Sequence, residues 1–125
     1  MISRLLFWDE SMITIQKTGN LITVAALGEF TLTDYKEFEE EVLYKSHFDG
    51  RANLLFDWRD MVSYTFDVAW EEIKFAREHG SEFNRVAVVV NNKWQAWSVW
   101  VSNLFIGADV RVFGDYDEAE LWATV

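Results

Sequence analysis

The chain has 125 residues, half of them hydrophobic and 17% aromatic, enough for a single domain with a real core. Eleven Lys and Arg against 21 Asp and Glu give a formal charge of −10, which excludes a basic nucleic-acid surface and disfavours charge-driven docking on anionic lipid. With no cysteine there is no disulfide, thiolate metal site or cysteine nucleophile.

Residues 1–11 read as an N-terminal apolar extension and residues 12–125 as one domain. The apolar run Leu5 to Trp8 is shorter than the roughly 7–15 residues of a signal peptide. The expected location is therefore the cytoplasm, with contact to the inner membrane face as an extension of that reading. The longest uncharged run, Trp94 to Ala108, falls short of the ~20 residues of a membrane helix and carries Gln95, Ser98, Ser102 and Asn103.

Met12 to Lys17 alternates and reads as a strand. Gly19-Asn20 signals a turn, and Leu21 to Leu27 completes a hairpin. Thr31 or Thr33 caps a helix with Asp34 in its first turn, and Tyr35, Phe38 and Val42 form its apolar stripe. That helix ends near His47, before the turn Asp49-Gly50. Asn53 to Trp58 is a short apolar strand. Thr65 caps the next helix, with Ala69, Trp70, Ile73 and Ala76 as its inner stripe and Gly80 as a left-handed terminator. Val86 to Val90 suits a strand covered on both faces. Lys93 to Phe105 reads as helix, Val110 to Phe113 as strand, and Glu118 to Trp122 as a short terminal helix. The order β-β-α-β-α-β-α-β predicts an α/β fold, a mixed sheet of about five strands with helices packed against it.

In its pattern of hydrophobic and aromatic residues the chain resembles the SpoIIAA-like branch of the STAS (anti-sigma-factor antagonist) fold. The segments that carry the resemblance are Ala26-Leu27-Gly28-Glu29-Phe30-Thr31-Leu32-Thr33-Asp34-Tyr35, then Leu54-Leu55-Phe56-Asp57-Trp58 with Ala69 to Phe75, then Arg85 to Val89 with Lys93-Trp94, and Asp109 to Phe113. None is a catalytic signature. The resemblance implies a small sheet with helices, no metal and no enzymology. It also implies kinship with domains that bind a partner kinase and switch by phosphorylation of a serine in an Asp-Ser-Ser-Gly motif. Here that motif falls at Thr65-Phe66-Asp67-Val68, so Asp67 stands for the lost serine and the glycine is missing. STAS domains are linked to small-molecule and lipid ligands as well, which makes an apolar ligand an expectation of the resemblance.

Chemistry-bearing residues are sparse. His47 and His79 sit near helix C-termini, without the spacing of metal ligands. Asp57, beside Trp58, is the acid best placed for a raised pKa; the plainer reading is a turn carboxylate that accepts backbone hydrogen bonds. Glu37, Glu39, Glu40 and Glu41 point in several directions on a helix and read as a solvated face. No Gly-rich phosphate loop is present. The expectation is no cofactor, no metal and no catalytic residue.

The aromatic helices are the unusual feature. Trp94, Trp97, Val101, Leu104 and Phe105 form an inner stripe, with Trp100 on its edge, while Val99 projects close to the opposite side with Ala96 and Asn103, where no charge lies. Phe75 lies nearly opposite Trp70 and Ile73 in the preceding helix. An uncovered aromatic surface marks a ligand groove, a partner or a membrane contact. The leading expectation is a non-enzymatic module that holds an apolar or lipid-like ligand between the two helices through Phe66, Trp70, Ile73, Trp94, Trp97, Val101 and Phe105. Val99, Trp100 and Phe75 are then the expected membrane or partner contacts. The competing readings are a regulatory protein-interaction domain without the phosphorylatable serine, and a homodimer that covers the tryptophans.

Overall fold

The computed structural model describes residues 12–46, 51–64, 66–92 and 107–124. Strand β1 (Met12–Thr18) and strand β2 (Leu21–Phe30) form the expected hairpin, antiparallel from Met12↔Leu27 to Thr18↔Leu21. The register leaves two residues for the turn, and Gly19 takes a φ of 59°, a conformation open to glycine at little cost. Helix α1 (Leu32–Ser46) follows. Thr31 caps it reciprocally: its Oγ1 accepts the Asp34 N–H at 3.3 Å, and Asp34 Oδ2 accepts the Thr31 N–H at 3.2 Å and its hydroxyl at 3.0 Å.

Strand β3 (Ala52–Asp57) is buried along its whole length. A turn through Trp58 leads into strand β4 (Met61–Tyr64), then helix α2 (Phe66–His79) and strand β5 (Phe83–Val89). Strand β6 (Asp109–Phe113) and helix α3 (Tyr116–Thr124) complete the described chain. The sheet order is β1-β2-β3-β5-β6, with β2, β3, β5 and β6 mutually parallel, and β4 pairs the far end of β2. The sheet thus has six strands where the sequence reading has five. β4 escapes that reading because it is four residues long with little alternation. It extends the β3 column past the turn, and β2 shifts register between Gly28 and Glu29 where the pairing changes.

Parallel strands in monotonic order, joined by right-handed crossovers, put their helices on one side of a sheet. Accordingly, Tyr35, Phe38 and Val42 of α1 and Phe75 of α2 share one core with Ile22, Val24, Leu54, Phe56, Val86 and Val88. Among the described residues the opposite face is covered by α3 alone: Ala119 and Ala123 pack on Leu21, Leu55, Ala87 and Val89. The valine run of β5 is therefore sealed on both faces, as its lack of alternation predicts. Gly80 departs from expectation. Its φ is not positive, and α2 tightens instead into a 3-10 turn over Gly80–Glu82.

Candidate functional site

Helix α2 is the element on which the expected site converges, and its rotation decides which side chains are available. Phe75 is the correction. Expected as an exposed membrane or partner contact, it is buried, only 3% accessible, with ring centroids 5.0 Å from Phe38, 6.0 Å from Phe83 and 5.3 Å from the His79 imidazole. An aromatic ring placed over a valine-rich sheet gains more by burial than a smaller residue at the same helix position. At about 100° per residue, Ile73 lies roughly 160° around the axis from Phe75, and positions 66 and 70 fall on Ile73's side. Ile73 is only half-buried. The helix thus directs to the core the residue that sequence reading places outside.

Phe66 and Trp70 fall on α2, but their side chains lie outside the described residues, as do Trp94, Trp97, Val99, Trp100, Val101 and Phe105 in their entirety. Asp67, the position expected from the resemblance to stand for the switching serine, is exposed in the first turn of α2, where a carboxylate is favoured by the helix dipole. Thr65, its expected cap, lies outside the described residues, and so does His47. His79 closes α2 half-buried, with Nδ1 against the Glu82 carboxylate.

Asp57 follows the plainer reading. Its carboxylate is 12% accessible and holds Arg59 in a fork, with Nε donating to Oδ1 and Nη2 to Oδ2, both at 2.8 Å. The Arg59 backbone N–H adds a third bond at 3.2 Å. Hydrogen bonding to Asp57 raises the Arg59 pKa further above its ordinary value. The guanidinium also lies 5.0 Å from the Tyr116 ring centroid, and Asn91 donates to the Arg59 carbonyl at 2.9 Å. This cluster fastens the turn after β3 to the start of α3. Of the expected acidic face, Glu39 accepts the Tyr35 hydroxyl at 2.7 Å and Glu41 pairs with Lys45 at 3.6 Å.

A groove that sequence reading does not single out lies between the β1–β2 hairpin and α3. It has a volume of about 630 Å³ and is lined by Gln16, Thr18, Leu21, Thr23, Tyr116 and Glu120, among others. Its signal in the sequence is the polar phase of β1, since Thr14, Gln16 and Thr18 alternate with Ile13 and Ile15 and face away from the main core. Burial first, then the nearby Glu120 carboxylate, raises the Tyr116 pKa. Among the described residues no cluster of three or more His, Cys, Asp or Glu could hold a metal ion, and no helix is long and apolar enough to cross a membrane.

A six-stranded mixed sheet with crossover helices on one face and a short terminal helix on the other is a STAS-like α/β domain. The SpoIIAA-like family pattern matches residues 21–124, and the chain belongs to that family. Among solved structures, it is similar to an uncharacterised protein of Shewanella loihica with a SpoIIAA-like fold: 24% identity, TM-score 0.72, 90% of this chain and 93% of that one. It is also similar to an anti-sigma factor antagonist from Mycobacterium paratuberculosis: 13% identity, TM-score 0.65, 94% of this chain and 97% of that one. At these identities the likeness establishes the fold. No functionally curated protein matches the sequence.

Proposed function

We propose that this SpoIIAA-like domain is a non-enzymatic binding module that holds an apolar, lipid-like small molecule against the side of α2 carrying Phe66, Trp70 and Ile73. Trp94, Trp97, Val101 and Phe105 supply the opposite wall, and Val99 and Trp100 meet a membrane surface or partner. The supporting observation is the rotation of α2. Among the α2 residues whose side chains are described, Phe75 is the one buried in the core, and the second apolar side of the helix carries half-buried Ile73. Apolar stripes on both sides of one helix are costly to leave in water, at ~1.5–3 kcal/mol for each large side chain. Binding of a brominated fatty acid tests the reading through quenching of tryptophan fluorescence. Saturable quenching that Ile73→Glu abolishes, with the far-UV spectrum retained, supports it. Quenching unchanged by Ile73→Glu removes the α2 wall from the proposal.

A second reading rests on Asp67. Asp67 is a fixed, exposed negative charge at the start of α2, at the position where the family resemblance puts the switching serine. The domain would then bind a regulatory protein constitutively, in the manner suggested by its likeness to an anti-sigma factor antagonist. Asp67→Ala should abolish capture of such a partner while leaving fatty-acid quenching intact.

A further inference from the structure

We propose that β6 is a self-docking edge, through which two copies of this chain pair as antiparallel strands about a two-fold axis centred on Val110. β6 ends the sheet and, among the described residues, pairs with β5 alone. The Phe113 carbonyl accepts the Val90 N–H at 3.0 Å, and the Gly107 carbonyl faces the same side, accepting Arg51 Nη2 at 2.7 Å; that arginine also reaches the Phe83 carbonyl of β5. The N–H and C=O of one strand residue point the same way, and the direction alternates along the strand. Asp109, Arg111 and Phe113 therefore direct their backbone groups to β5. Val110 and Val112 direct theirs to the open edge.

Only some registers use that edge well. Centred on Val110, the two copies of this residue exchange both hydrogen bonds, and Val112 faces Ala108 of the second copy. Asp109 then lies opposite Arg111 of the second copy, and Arg111 opposite Asp109 of the second copy. Both pairs occupy non-hydrogen-bonded sites, where opposing side chains come closest. Centring on Asp109 or on Arg111 puts like charges face to face. Centring on Val112 sets Asp109 against Asp115 and Arg111 against an aromatic ring.

The side chains are available for this pairing. Asp109 and Arg111 share one face of the sheet, 56% and 60% accessible, and lie 4.0 Å apart as an exposed ion pair that the second copy's pair would extend into a network of four charges. Val110 and Val112, on the other face, are half-buried at the margin of the main core. The self-complementary register thus joins charge to charge on one face, and on the other Val110 to Val110 and Val112 to Ala108. Edge strands that must stay single carry charge that repels an identical strand; the Asp-Val-Arg order of β6 does the reverse. Pairing would join two five-strand paths into one continuous sheet, with the isologous symmetry usual for dimers.

Sedimentation of the full chain over a wide dilution series tests the proposal. The unmodified protein should show a monomer–dimer equilibrium. Asp109→Arg and Arg111→Asp, each alone, should weaken it by roughly tenfold or more, because each sets like charges opposite. Mixing these two variants should restore dimer as a heterodimer, and the double swap D109R/R111D should restore the homodimer. Thermal melts confirm that each variant is folded, which matters for Arg111 because its guanidinium lies 5.1 Å from the Trp122 ring centroid. A monomer at every concentration overturns the proposal. So does a dimer that Asp109→Arg leaves unchanged, or a mixture of the two single variants that stays monomeric.

Discussion

Phe75 and Ile73 lie two residues apart on α2, yet they face opposite environments, and their energetics should differ accordingly. Phe75→Ala removes a fully enclosed ring and should cost about 3–5 kcal/mol, whereas Ile73→Ala, at a half-buried position, should cost about 1–2 kcal/mol. Urea denaturation measures both, and equal costs would contradict the rotation of α2 described above. Arg59→Ala should cost about 1–2 kcal/mol: the Asp57 carboxylate is sheltered, but the guanidinium is nearly half exposed, so solvent screens the pair. Tyr116 links stability to alkaline pH. Its folded-state pKa is raised above the ordinary value of 10.0, so the neutral phenol is favoured by folding. That contribution is complete below about pH 10 and is lost as pH rises through the higher folded value. Tyr116→Phe should flatten the decline in stability above pH 10 seen by urea denaturation, and a phenolate titration of the unmodified protein should show one tyrosine ionising late.

At the scale of elements, α1 and α3 show how side chains close helix ends. Thr31→Ala should cost about 1 kcal/mol by removing the reciprocal cap of α1. The C-terminal carbonyls of α3 are held by the sheet: Asn53 Nδ2 donates to the Ala123 carbonyl at 2.6 Å, Arg85 Nη1 to the Trp122 carbonyl at 2.7 Å, and Asn53 Oδ1 accepts the Arg85 N–H at 3.0 Å. Asn53→Ala should therefore release α3, raising amide exchange across 116–124 well before the sheet itself opens. The sequence reveals the hairpin, the Thr31 cap, the stripe of α1 and the two-faced burial of β5, because each rests on local pattern. Two features depend on packing and are invisible in it. Both sides of α2 are apolar, so periodicity cannot choose between Phe75 and Trp70/Ile73; the sheet's need for a ring beside Phe38 and Phe83 decides. β4 exists because β2 extends past the end of β3, which no property of Met61–Tyr64 itself announces.

The whole molecule is asymmetric about its sheet. Among the described residues, one face carries α1, α2 and the main core, and the other is covered by the nine residues of α3, beside a polar-lined groove. The α2 half of the expected ligand site belongs to the face that carries α1 and α2, and its sequence signal is a surplus of aromatic residues rather than any motif. Half of that site, the apolar side of α2, follows from helical position, while the tryptophans of its other wall lie outside the described residues. The proposed function puts an apolar small molecule on this side of α2. Native mass spectrometry of freshly expressed protein, set against the same sample under denaturing conditions, tests it most directly. The expected result is an adduct of a few hundred daltons that disappears on denaturation and is absent from Ile73→Glu. Protein free of any adduct that also fails to take up added fatty acid would contradict it.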